Sequence, residues 1–274
     1  MQIVKIDARD LSDAWFQFIF EILDKGSRHV IDRGSYAGQT RLEFDYAIGH
    51  ITHPKTRPLI PDIPPACGIP NPVEEAYIYG GEGYDRSYIE YIMSARKEPG
   101  ESYTYGERLT KYPISKNTLS FKTMKDILME EYAHWKSLGI ITVESEGKIL
   151  AGTYEQQEYL NQIEAVIWTY KNKGHRNNQL VMQVGIPDDL LFQDPACLRH
   201  IDTRIQDGKL HFFVYFRSWD LWGGFPANLA GIQNLKEYMA DEIGVEDGEM
   251  IVESKGLHLY GYAEELANLR CLRD

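Results

Sequence analysis

Long hydrophobic runs, cysteine and basic charge are all scarce in this 274-residue chain. The most apolar early stretch, Ala14 to Leu23, is broken by Gln17 and Glu21, so neither a secretory signal peptide nor a membrane span is expected. The three cysteines, Cys67, Cys197 and Cys271, are odd in number and far apart, which argues against a disulfide framework or a zinc ribbon. A reducing cytoplasm is the expected setting. Lysine and arginine number 29 against 41 acidic residues, a formal net charge of −12, so long polyanions such as nucleic acid are disfavoured while a local pocket for a small anion is not. Gly80-Gly81-Glu82-Gly83 lacks the third glycine and the preceding strand of a dinucleotide fingerprint, and no lysine follows a glycine loop. His50 and His53 have no cysteine or further histidine at ligand spacing, and they read as solvated loop residues rather than a metal site.

What is present is the composition of a globular protein, 43% hydrophobic and 12% aromatic, long enough to bury a sizeable core. Residues 2–6 read as a strand. Asp10 or Ser12 then caps a helix with Ala14, Trp15, Phe18, Ile19, Ile22 and Leu23 at helical spacing, ended by Gly26. A β-compatible segment runs from Arg41 to Ile51, and seven prolines between Pro54 and Pro72 impose an extended passage. Helices are expected within 86–97, from Thr123 to Leu138, and over a segment with Leu160, Ile163, Ile167 and Tyr170 on one face, ending near Gly174. Asp207-Gly208 has the chemistry of a type I′ turn joining His200–Gln206 to the nearly all-apolar Lys209–Phe216, a hairpin whose second strand is expected to be deeply buried. Pro226 suits the first turn of a helix closed by Gly244, and another strand lies near Met250 to Glu253. Without a regular βαβ rhythm, the expected fold is α+β, a mixed sheet with packed helices in one domain over 1–274.

Two places carry chemistry. Cys197 sits in the turn Asp194-Pro195-Ala196-Cys197, and read alone it is either a small buried hydrophobe or a nucleophile. A nucleophilic thiol needs cations nearby, and hairpin pairing through Asp207-Gly208 sets residues summing to about 415 opposite each other, which brings Arg217 across from residue 198. The second place is Arg217-Ser218-Trp219-Asp220-Leu221-Trp222-Gly223-Gly224-Phe225-Pro226-Ala227-Asn228, where a cation, a hydroxyl, a carboxylate, two indoles and a carboxamide precede a helix. That set suits a planar, anionic, hydrogen-bonding ligand. The bland alternative makes Asp220 a cap, Asn228 a surface residue and the tryptophans core.

These blocks, with Gly256-Leu257-His258-Leu259-Tyr260 following in order, resemble the thymidylate synthase family, which includes the deoxypyrimidylate hydroxymethylases, and the segment from Phe216 to Leu229 resembles its archaeal branch. Tyr103-Thr104-Tyr105-Gly106-Glu107-Arg108 is similar to the family's Tyr-Gly block, and Asp32-Arg33-Gly34 adds a fainter likeness. The resemblance implies that Cys197 attacks C6 of a deoxyuridylate ring, with Tyr105 in the proton-transfer network and Glu75, preferred over Glu74 and Glu90, as the catalytic glutamate. It implies nucleotide contacts from Arg33, Arg217, Ser218, Asn228, His258 and Tyr260, with Asp220, Trp219 and Trp222 beside the one-carbon donor. Arg176 would reach across a homodimer to the partner's phosphate. The implied donor is 5,10-methylenetetrahydrofolate or a methanopterin relative, without metal. Leu198 stands where the family has a histidine and Asn177 where it has a second arginine, and the closing tail of many members is not expected after Tyr260. Thymidylate is the expected product; hydroxymethylation of deoxyuridylate or deoxycytidylate is the first rival, and a non-catalytic nucleotide-binding or RNA-binding relative the second.

Overall fold

The helix expected after Asp10 forms as α1 (Leu11–Lys25), with the Asp10 carboxylate accepting the Asp13 backbone N–H and Gly26 at its end. The structure is a computed structural model and describes residues 1–32, 36–114, 131–148 and 154–273. Ahead of α1 lies β1 (Ile3–Ala8), and after it come β2 (Ser27–Val30), β3 (Thr40–Glu43) and β4 (Tyr46–Ile51). The single segment expected over Arg41 to Ile51 is therefore two strands, and they enter different sheets. The proline-rich passage carries only a short 3-10 turn at Pro65–Cys67. It leads to three short helices, α2 (Glu75–Tyr79), α3 (Tyr88–Met93) and α4 (Tyr105–Thr110). The helix expected from Thr123 lies outside the described residues up to 130, and residues 131–137 are helical, here α5. A three-stranded sheet of β5 (Tyr112–Pro113), β6 (Ile141–Lys148) and β7 (Tyr154–Leu160) leads to α6 (Gln162–Lys173), which ends at Gly174 as expected.

The C-terminal half follows its local signals closely. After β8 (Val181–Gln183), strands β9 (Leu198–Gln206) and β10 (Lys209–Phe216) form the expected hairpin. Asp207 and Gly208 both take positive φ, 51° and 73°, as a type I′ turn requires. Most of the ladder keeps the expected sum, Tyr215 facing His200, until a bulge sets Phe216 opposite Leu198. Next come β11 (Trp219–Asp220), α7 (Gly224–Ile243), β12 (Glu246–Ser254), β13 (Leu257–Tyr260) and α8 (Gly261–Arg270). Helix α7 is apolar around most of its circumference and is buried accordingly, from Phe225 through Leu229, Ile232, Leu235 and Met239.

Two sheets organise the molecule. The larger has the order β1-β4-β12-β10-β9-β8, with α1 and α7 packed on one face. On that face β10 buries Leu210, Phe212, Val214 and Phe216, while His211, Phe213 and Tyr215 between them stay partly open. The expected deep burial of β10 thus holds for one face only, the other being partly open. His50 is corrected too. It stands on β4 in that open face, its ring within 2.6 Å of the Glu249 carboxylate and 3.3 Å of Asp7, rather than in a solvated loop. The smaller sheet has the order β11-β13-β3-β2 and draws its strands from both ends of the chain. No helix among the described residues is long and apolar enough to cross a membrane.

Candidate active site

The smaller sheet is the floor of a cleft of about 680 Å³. Directly paired residues share a face, so pairing of His258 with both Asp220 and Glu43 makes one row across the sheet, and pairing of Arg41 with both Tyr260 and His29 makes the next. All six line the cleft, together with Cys197, Arg217, Ser218 and Lys255. Sequence reasoning missed Arg41, Glu43 and His29. Their signal was the i, i+2 spacing of Arg41 and Glu43 in a short strand, which says nothing until the strand's partner is known.

Cys197 stands half-buried on the cleft wall at the start of β9. The bulge brings Arg217 opposite Cys197 itself, one residue from the expected partner, and the Arg217 backbone N–H donates to the Cys197 carbonyl at 2.8 Å. The Arg217 guanidinium braces the same turn, donating to the carbonyls of Pro195 at 2.5 Å and Ala196 at 3.2 Å. Burial pushes the Cys197 thiol up; Arg217 and Arg199 pull it down, and Asp194 adds to the rise. Behind the turn, buried Asp189 pairs with Arg108 at 2.8 Å and with Arg199 at 2.5 Å. Arg108 comes from the Tyr103–Arg108 block, so that block braces the turn from behind. In the same block, the buried Tyr105 hydroxyl accepts the Leu198 backbone N–H at 3.3 Å.

His258 is buried, its Nδ1 2.9 Å from the Gly256 carbonyl, and its Nε2 is buried without a hydrogen-bond partner. With the proton on Nδ1, Nε2 is an acceptor. Burial holds its pKa down at about 4. Tyr260 packs edge-on to that ring, with centroids 4.6 Å apart.

The other predicted groups divide. Asp220 lines the cleft, yet its carboxylate also accepts the backbone N–H groups of Trp222, Gly223 and Gly224 at 2.9–3.1 Å, so the capping role and the cleft position coincide. Burial pushes its pKa up against those three bonds. Trp219 and Trp222, expected beside the donor, are corrected to core residues, 3% and 5% exposed. Large apolar rings gain most from full burial, and here Trp219 stacks on Phe216 at 4.0 Å while Trp222 packs on Trp15 at 5.3 Å. Trp219 keeps one polar task, since its Nε1–H donates to the Asn228 Oδ1 at 2.8 Å. The Asn228 amide in turn donates to the Tyr88 hydroxyl.

Asn228 opens onto two adjoining cavities walled by tyrosines. Tyr77, Tyr84, Tyr88, Gly223 and Glu74 line one, and Tyr88, Tyr91, Tyr105, Arg86 and Glu101 line the other. Glu74 therefore shares a wall with Asn228, whereas Glu75 lines a separate cavity with Pro58 and Asp62. Glu90 is turned to Arg96 at 3.0 Å. Arg176 is exposed after α6 and lines none of these cavities. Arg33 lies outside the described residues.

The family model for thymidylate synthase matches residues 102–273. A protein of Methanosarcina mazei named "Putative thymidylate synthase" is 34% identical over 94% of this chain and 89% of its own length. A protein of the same name from Methanosarcina barkeri is 26% identical over the same shares. A thymidylate synthase of Corynebacterium aurimucosum is 32% identical over 38% of each chain. This chain belongs to the thymidylate synthase family.

Proposed function

We propose that this family member transfers one carbon to C5 of deoxyuridylate through a covalent Cys197–C6 adduct, and that the product is thymidylate. The observation that carries the proposal is the convergence of Cys197, Arg217, Ser218, Asp220, His258 and Tyr260 on one cleft. A uracil C5 is a poor nucleophile until a thiolate adds at C6, which turns the ring into an enolate with charge on O4. Cys197 must lose its proton for this step, and Arg217 opposite favours the thiolate. Ser218 and the free edge of Arg217 meet the phosphate. His258 and Tyr260 flank the sugar, and Asn228, held by Trp219 and Tyr88, faces the base edge. Of the three candidate glutamates, Glu74 is our choice over Glu75, because it alone lines a cavity with Asn228.

A reduced folate, when bound, supplies the carbon and, for methylation, the hydride. The residues fit such a planar group, since three tyrosine rings and the backbone of Gly223 and Gly224 enclose the space beside Asn228, next to Asp220. One observation favours the hydroxymethylase reading. Both indoles expected to shield the reacting carbon lie in the core, so exclusion of water falls to tyrosines whose hydroxyls tolerate it. Mass analysis of the nucleotide formed from deoxyuridylate and methylenetetrahydrofolate decides. A methyl product with an equal amount of dihydrofolate supports the proposal, and a hydroxymethyl product with no folate oxidation overturns it.

The proposal extends to a homodimer in which Arg176 serves the partner's phosphate, consistent with its exposure and with its not lining the cleft of its own chain. Arg176→Ala mixed with Cys197→Ser then recovers part of the lost activity through hybrid sites. No recovery would assign Arg176 to its own subunit or to no role.

A further inference from the structure

The turn that carries Cys197 is held by two arginines on one atom. The carbonyl of buried Ala196, one residue before the thiol, accepts from Arg217 Nε at 3.2 Å and from Arg199 Nη1 at 3.1 Å. Arg217 lines the cleft, whereas Arg199 stands outside the cleft lining. Arg199 is fixed at both ends. Its backbone carbonyl accepts the N–H groups of Val184 and Gly185 at 2.9 and 2.8 Å, and its guanidinium donates to the buried Asp189 carboxylate at 2.5 Å. The guanidinium lies so close over Gly185 that a Cβ there would stand 2.4 Å from Arg199 Cζ, Nε and Nη2. Asp189 is shared with Arg108, so two guanidinium groups and one carboxylate leave one net positive charge behind the turn. No step of the chemistry above uses it.

We propose that Arg199 is a positioning residue for the nucleophile, anchored by Asp189: it shares the Ala196 carbonyl with Arg217, fixing how Cys197 enters the cleft, and it adds a cation to the surroundings of the attacking thiolate. The inference rests on the reading of Cys197 as the nucleophile. A carbonyl has two lone pairs, and with both held by guanidinium groups the peptide leading into Cys197 cannot turn without breaking two charge-assisted bonds. The other groups that face the thiol do not replace this cation. Asp194 opposes the thiolate, while Tyr103 and Tyr260, pushed up to about 12 by burial, and the buried Tyr105 stay uncharged as a thiol titrates. Among the described residues, Arg217 and Arg199 are the two that favour the thiolate against burial.

The test uses the full chain and two variants. In Arg199→Gln, turnover is expected to fall by about tenfold or more while the dissociation constant of deoxyuridylate changes by no more than about threefold, because the nucleophile shifts and the cleft lining does not. Alkylation of Cys197 by iodoacetamide, followed on its own peptide by mass spectrometry, is expected to slow by about threefold or more at pH 8, with a higher pH midpoint. Direction separates this role from a purely structural one. A turn that had merely loosened would let water reach the thiol, and relief of burial would lower the midpoint and speed alkylation. Gly185→Ala keeps the charge but displaces the guanidinium, and it is expected to show the same two changes, so the test stands even where Arg199→Gln fails to fold. A midpoint that stays put or falls in the folded variants overturns the proposal, as does turnover within about twofold of the unmodified protein. Full turnover in Cys197→Ser would remove the nucleophile itself, a failure distinct from either.

Discussion

The two sheets that organise this molecule differ in how they are assembled. In the larger, β9, the Asp207-Gly208 turn and β10 follow one another in the chain, α7 and β12 come after the short β11, each set by signals within its own segment, and β1 and β4 join from residues 3–51. In the smaller, β2 and β3 come from residues 27–43 while β11 and β13 come from residues 219–260. The larger sheet makes the core; the smaller makes the cleft floor. Each of these sheets has one pairing that joins the two ends of the chain, β4 with β12 in the larger and β3 with β13 in the smaller, and in the smaller that pairing sets unlike charges side by side facing the cleft. A hydrophobic ladder on that face would be easier to fold but could not present two rows of polar groups to a ligand.

The sharpest way to break this division is at the one reactive group contributed by the larger sheet. Cys197→Ser should lower turnover by about a thousandfold or more, since a hydroxyl is a far weaker nucleophile, with deoxyuridylate affinity nearly unchanged. Cys67, exposed, and Cys271, near the end of α8, should tolerate alanine. Substantial turnover in Cys197→Ser, or its loss in either alanine variant, would place the nucleophile elsewhere.

The two sheets also carry histidines that titrate in opposite directions. His258 on the cleft floor is held down from the ordinary 6.5 to about 4 by burial. The unfolded chain therefore takes up a proton between these values that the folded chain refuses, and this contribution falls away as pH drops from about 6.5 to 4. The loss approaches about 3 kcal/mol at its limit. His50 on the open face of the larger sheet is raised, first by its bond to Glu249 and further by Asp7. Its contribution is complete below 6.5 and fades as pH rises above that value. Urea melts from pH 4 to 8 should show a flatter acid limb in His258→Gln and a flatter neutral limb in His50→Gln. Parallel curves for all three proteins would mean that neither ring is held as described.

Arg217 links the two regions, because it directly follows β10 and lines the cleft. Burial raises the Cys197 pKa by more than the Arg217 guanidinium lowers it, so alkylation of Cys197 by iodoacetamide should have its pH midpoint above that of an ordinary thiol. Arg217→Gln should move that midpoint higher still and slow alkylation at pH 8 by several-fold. A midpoint that stays put would show that Arg217 serves the turn and the phosphate but not the thiol.

How much of this was legible follows the same division. Asp10, Gly26, Asp207-Gly208 and Gly244 announced their elements because caps and turns are chemical statements within a few residues. Arg217 was placed within one residue of its true partner by counting from the turn, and only the bulge escaped. Arg41 and Glu43 were not legible, since their meaning depends on β13, more than two hundred residues away. The tryptophans misled for a physical reason. An indole in a polar block suggests a ligand face, yet the same ring is the most profitable one to bury.

Trp219 offers the finest separation of the two regions, because its ring belongs to the core and its N–H to the site. The Nε1–H bond to Asn228 Oδ1 fixes which way the carboxamide turns, leaving the amide to Tyr88. Trp219→Phe keeps most of the apolar stack on Phe216 and Phe225 and removes only that donor. The expected result is a smaller core loss than Trp219→Ala, together with an about three- to tenfold drop in preference for deoxyuridylate over deoxycytidylate as the Asn228 amide becomes free to rotate. Affinity for the phosphate end, read with inorganic phosphate as competitor, should stay the same, because Arg217 and Ser218 are untouched. If the base preference holds while stability falls, Trp219 is a core residue alone, and Asn228 is oriented by Tyr88 without it.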